Sequence, residues 1–126
     1  MEEYIRIGKI DVNKLGKYKN LVTTYEVILT LERIAHIKER RKEQFYELER
    51  YIKSVIENPD YILQEMEHTD TIIMLKEIIK DEMRIKMIVK LTTSKQENRS
   101  NSIITFWKIR QRDYRKNYSK GKDNLS

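Results

Sequence analysis

The hydrophobic pattern changes period at a single proline, and that change limits what the chain can fold into. Up to Pro59, in "KEQFYELERYIKSVIENP", Phe45, Leu48, Ile52, Val55 and Ile56 recur at helical spacing and give one apolar face. Asn58-Pro59 ends that helix, because proline cannot continue it and its predecessor avoids helical geometry. Beyond Pro59 the period becomes two. "YILQEM" (61–66), "TIIMLKEII" (71–79) and "RIKMIVKLTT" (84–93) read as strands. In the last of these Ile85, Met87, Val89 and Leu91 face one way, and Arg84, Lys86 and Lys90 the other. An apolar helix face followed by alternating strands has to be laid on a sheet.

The flanks extend this pattern. "EYIRIGKI" (3–10) reads as an edge strand, "NKLGKYKNL" (13–21) as a loop and "YEVILT" (25–30) as a buried strand. A helix then starts, with Thr30 as N-cap and Glu32 in the first turn. Leu31, Ile34 and Ala35 form its expected apolar stripe, while Arg33, His36 and Arg40, spaced i, i+3 and i+7, share another face. "KDEM" (80–83) is a hairpin turn, "SKQENRSN" (94–101) a polar loop and "SIITFWKI" (102–109) the last strand. The fold class that follows is α+β, with helices packed on one face of an antiparallel sheet of four or more strands. We expect one domain over residues 1–110 and a basic tail over 111–126 that starts as a helical turn and frays.

Composition excludes several kinds of chemistry. The 126 residues contain no cysteine, which rules out disulfides, Cys-ligated zinc and thiol catalysis. Gly8, Gly16 and Gly121 are the only glycines, so no phosphate-cradling glycine loop exists. His36 and His68 lack metal-protease spacing, and the aspartates are scattered, so neither a metal nor another cofactor is expected. No apolar run is long enough to span a membrane and the N-terminus lacks a signal-peptide core, which fits a cytoplasmic protein.

Charge points to a polyanionic partner. The net charge is +6. From Arg84 to Lys122 there are twelve Lys or Arg against two acids, whereas residues 1–83 carry fourteen bases and seventeen acids. A field polarised in this way attracts nucleic acid. Cleaving RNA without a metal needs a base for the 2′-OH, cations for the phosphorane and a donor for the leaving oxygen. Histidine suits the proton step. His36 lies between Arg33 and Arg40, with Glu32 and Glu39 at i−4 and i+3, and periodicity by itself favours an ordinary solvated histidine.

The run "LERIAHIKERR", followed by "IENPDYIL", "MLKEI", "VKLTTS" and "NSIITFWKI", resembles the phage-associated nucleases of the barnase–EndoU–colicin–RelE-like superfamily, over most of residues 26–109. The resemblance implies one or two helices on a four-stranded antiparallel sheet, and a metal-independent ribonuclease, often a toxin. It implies catalytic roles for His36, Lys76 and Ser102, with Thr105 a second hydroxyl on the last strand. Arg33, Arg40, Arg41, Lys90, Thr105 and Lys108 would then hold phosphate or RNA. Where the family usually has a second histidine this chain has Arg41. That departure leaves two readings: an altered nuclease, or a degenerate module that binds nucleic acid without cutting it. The partners implied are RNA and an acidic immunity or antitoxin protein.

Each role has a structural rival. Lys76 snorkels from the sheet edge, Lys90 is solvated, and Ser102 makes a local hydrogen bond. Trp107, the only tryptophan, is expected in the core in preference to stacking on a base. His68 reads as a turn residue. Tyr114 and Tyr118 among Arg112, Arg115 and Lys116 read as a basic-aromatic tail.

Overall fold

A computed structural model describes residues 3–65, 67–93 and 100–118, without the side chains of 117 and 118. Most of the expected polar loop 94–101 and the tail beyond 118 lie outside the described residues. Six strands form one sheet: β1 (Tyr4–Lys9), β2 (Glu26–Thr30), β3 (Tyr61–Gln64), β4 (Thr71–Ile78), β5 (Met83–Lys90) and β6 (Asn101–Lys108). Their order is β1-β2-β6-β5-β4-β3. All neighbours are antiparallel except β2 and β6. The fold is α+β.

The helical segment between β2 and β3 is more continuous than its sequence suggests. Helix α1 (Leu31–Leu48) passes through a kink at Arg41 (φ −144°, ψ 57°), then a 3-10 turn over Glu49–Tyr51 leads into α2 (Ile52–Glu57). Thr30 caps α1 as expected, its hydroxyl accepting from the Arg33 N–H at 3.1 Å. The expected stripe does not hold. Only Ile34 of it packs against the core; Leu31 and Ala35 are exposed, and Ile37 is buried in addition.

One sheet face is the core. Phe45, Leu48, Ile52, Val55 and Ile56 pack there against Val27, Leu29, Ile72, Met74, Ile85, Met87, Ile103 and Phe106. The other face is set by register. Arg6, Ile28, Ser102, Lys90 and Thr71 lie opposite one another in one row across five strands. Thr105, Ile88, Ile73 and Leu63 form a second row, and Trp107, Lys86, Leu75 and Tyr61 a third. We call this the open face.

The start of the basic tail folds back onto that face. Helix α3 (Gln111–Tyr118) brings the Tyr114 ring against Tyr61, centroids 6.0 Å apart, and the Tyr114 hydroxyl donates to Asp60 Oδ2 at 2.8 Å. Burial, then that bond, raises the phenol above the ordinary tyrosine range. Its contribution to holding α3 is therefore complete below that range and is lost only as pH rises through the raised value.

The β2–β6 junction is short. Only Val27↔Asn101 and Ile28↔Ser102 are paired. The fully buried Asn101 reinforces it. Its Nδ2 donates to the carbonyls of Thr24 (2.8 Å) and Glu26 (3.1 Å), and its Oδ1 accepts from the Thr92 N–H at 2.7 Å. Asn101→Ala leaves three backbone groups without a partner and should cost about 3 kcal/mol, read as a shift in the urea midpoint.

Candidate nucleic-acid cleft between helix and strand

Because β2 stops at Thr30, the first half of α1 runs on beside β6 in the place another strand would occupy. The helix stripe Arg33, His36, Ile37, Arg40, Arg41 and the β6 residues Ile104, Thr105 and Trp107 enclose a cleft of about 400 Å³. Positions i, i+3, i+4, i+7 and i+8 share one helix face, so this spacing turns five consecutive side chains of the stripe toward the strand.

A bulge decides which β6 residues they meet. Ile88 pairs with Thr105 but Val89 with Ile103, so β6 holds one extra residue, Ile104. Ile103 and Phe106 consequently both point into the core, although three positions apart, while Thr105 and Trp107 point to the open face. The core position expected for Trp107 is thereby corrected. Its half-exposed ring lies 5.3 Å from the Arg41 guanidinium carbon and 5.5 Å from Lys86 Nζ, within cation–π range of both.

The cleft's electrostatics are one-sided. Among the described residues, the ion pairs of Arg50, Arg84, Lys108 and Arg110 go to Asp81, Glu77, Glu47 and Asp113. No described carboxylate lies within ion-pair distance of Arg33, Arg40 or Arg41. His36 is 56% exposed, with Nε2 3.8 Å from Glu32 Oε1. Such a contact orients an exposed ring weakly. An imidazole, three guanidiniums, a hydroxyl and an indole can together hold a phosphate, stack a flat ring and exchange a proton. Among the described residues, no three His, Asp or Glu side chains gather as metal ligands.

Of the nine residues singled out from sequence, five line this cleft: Arg33, His36, Arg40, Arg41 and Thr105. Ser102 and Lys90 face each other on the open face, outside it. Lys76 and Lys108 are not brought there. Lys76 is paired with the core-facing Ile85, and its Nζ donates to the Asn58 carbonyl at 2.7 Å, closing the C-terminal end of α2. Lys108 pairs with Glu47 at 2.7 Å, and its N–H donates to Gln44 Oε1, which ties β6 to the second half of α1. Trp107 and Lys86 are the cleft-side residues that sequence reading had placed elsewhere or left unassigned. Their shared row, next to that of Thr105 and Ile88, becomes legible only once the bulge is known.

No family model, curated protein or solved structure matches the chain. The fold and cleft are therefore read from their own geometry. Among the described residues no helix is long and apolar enough to cross a membrane.

Trp107 gives the cleft a built-in optical probe, since it is the chain's only tryptophan. Adding inorganic polyphosphate at low salt should change its emission. The double variant Arg40→Ala/Arg41→Ala should weaken that response about tenfold in polyphosphate concentration, and added salt should weaken it further.

Proposed function

We propose that this protein binds single-stranded RNA across the α1–β6 cleft and cleaves it without a metal, by attack of a 2′-OH on the adjacent phosphorus. The observation that carries this reading is the stripe of three guanidiniums, free of carboxylate partners among the described residues, set around one imidazole and facing a hydroxyl and an indole. A phosphodiester fits those partners. Arg33, Arg40 and Arg41 offer planar donors to the phosphate oxygens, where negative charge grows in the transition state. Thr105 adds a hydroxyl donor from the strand side. Trp107, already polarised by two cations, offers a face for a neighbouring base.

His36 takes the proton of the 2′-OH. The oxygen of that group forms a bond to phosphorus, the bond from phosphorus to the 5′-oxygen breaks, the leaving oxygen takes a proton from water, and His36 returns its proton to the solvent. The products are a 2′,3′-cyclic phosphate and a free 5′-hydroxyl. Lys86 and Lys90 continue the positive charge over the open face and supply affinity for the flanking backbone. The family likeness of the quoted segments supports the same reaction class. An acidic inhibitor protein would find the same guanidinium stripe complementary.

One observation favours a second reading, binding without cleavage. Among the residues lining the cleft, His36 is the one group whose ordinary pKa lies near neutrality, and Arg41 stands where the family likeness calls for a second histidine. The departing oxygen then has no second side-chain acid at hand.

Cleavage of a single-stranded RNA in EDTA separates the two. The nuclease reading expects cyclic-phosphate products from the wild type and a loss of about 10²–10⁴ in rate for His36→Ala. Unchanged rate in His36→Ala removes that residue from the chemistry. Salt-sensitive binding with no product establishes the second reading.

A further inference from the structure

A second cavity of about 380 Å³ adjoins the cleft, and its chemistry is of the opposite kind. Glu65, His68, Asp70, Thr71, Ile88, Lys90 and Ile104 line it. The bulge residue Ile104 belongs to both cavities. Their floors are also continuous in the sheet, because Ile88 of the second lies directly opposite Thr105 of the first. A polymer seated in the cleft therefore has its next unit over this second cavity.

A phosphate does not suit it. Two carboxylates stand against one lysine, so an anion meets net repulsion. A flat ring with donors on its edge suits it well. Ile88 and Ile104 give an apolar floor, Glu65 and Asp70 accept hydrogen bonds, and Lys90, flanked in its row by Thr71 and Ser102, donates them.

The wall is held in shape by the fold. The Tyr18 hydroxyl donates to the Thr69 carbonyl, the Leu91 N–H donates to the Asp70 carbonyl at 2.7 Å, and the Thr71 hydroxyl donates to Asp70 Oδ1 at 3.3 Å. Burial, and then the negative charge of Asp70, raises the Tyr18 phenol. Glu65 is fixed through its Oε1, which accepts from the Glu67 N–H at 3.0 Å.

We infer that this cavity is a base-recognition subsite and that the base it takes is guanine, next to the phosphate held in the cleft. Guanine presents two neighbouring donors, N1–H and the 2-amino group, together with two acceptors, O6 and N7. The carboxylates match the donors, and Lys90 matches the acceptors. Uracil offers a single ring donor, and adenine and cytosine each offer one amino group. This assignment rests on the RNA-binding reading above and adds to it which nucleotide is selected.

The test uses the full chain and 2′-O-methylated uridine octamers, which lack the nucleophile and so report binding alone. Each carries one central guanosine, inosine, adenosine or cytidine, and Trp107 emission or anisotropy reads the affinity. The guanosine octamer should bind about tenfold more tightly than the inosine octamer, which lacks only the 2-amino group. Glu65→Gln should erase that ratio. Arg41→Ala should weaken all four octamers while keeping it. Equal binding of the four by the wild type, or preference for another base, overturns the guanine subsite and leaves the cleft's RNA binding intact. Absence of binding to every octamer overturns both.

Discussion

The buried amide of Asn101 is the constraint on which the geometry of this protein depends. Strands β2 and β6 are the one parallel pair in the sheet, and two residue pairs hold them side by side. A parallel pairing this short is weak by itself. Asn101 answers the backbone carbonyls of Thr24 and Glu26 from one end of its side chain and the Thr92 N–H from the other. The Thr92 N–H is buried and would otherwise be left without a partner, and the part-buried carbonyls would lose theirs from the protein. Two segments, the start of β2 and Thr92, are thereby fixed to one side chain, and the β1–β2 hairpin becomes part of the larger sheet.

The functional surface follows from where that junction stops. Had β2 continued alongside β6, the edge of β6 beyond Ser102 would be covered by backbone pairing. Instead the chain turns into a helix at Leu31, and the helix lies beside β6 at side-chain distance. The gap between a helix and a strand edge is wider than that between two paired strands, and it is filled by long cationic side chains rather than by hydrogen bonds. The kink at Arg41 then lets the second half of α1 roll onto the core, where Phe45 and Leu48 are buried, while Arg40 and Arg41 stay at the cleft. One helix thus lines the cleft with the polar side of its first half, where Ile34 and Ile37 already turn inward, and gives Phe45 and Leu48 of its second half to the core.

Much of the fold was legible in the sequence because it is written as periodicity. The change at Pro59, the alternation in 84–91 and the Thr30 cap each reflect a local rule, and each matches the observed element. The ridge of Arg33, His36 and Arg40 was legible for the same reason. Non-local facts were not. A single inserted residue, Ile104, reverses the parity of β6 partway along, so no alternation count across "SIITFWKI" could send both Ile103 and Phe106 inward. Trp107 is expected in the core because it is the lone tryptophan, and the insertion carries it to the open face instead. Lys76 was a reasonable site residue by motif, but its strand parity puts it on the helix side, where the end of α2 supplies an acceptor. Asn101 reads as loop polarity in sequence, and only the fold reveals three backbone groups around it. Helix α3 shows the same limit: its composition suggests a solvated tail, and its position depends on Asp60 and Tyr61, more than fifty residues away.

The open face is polarised in a way that bears on how a chain of nucleotides could be read. Guanidiniums at the helix edge, with no carboxylate partner among the described residues, act through charge, which is long-ranged and screened by salt over about 8–10 Å. They attract and align a backbone without distinguishing sequence. The carboxylates Glu65 and Asp70 act in the contrary direction, repelling the backbone from the neighbouring cavity. On the proposed reading, a strand lying across β6 and β5 would be drawn by its phosphates to the helix side and kept from sliding farther by like charge. What can enter the second cavity is the uncharged part of the nucleotide, its base. Placing acids beside cations weakens total attraction, yet in the proposed complex it would fix register, and a fixed register would convert affinity for any polyanion into selection of one nucleotide.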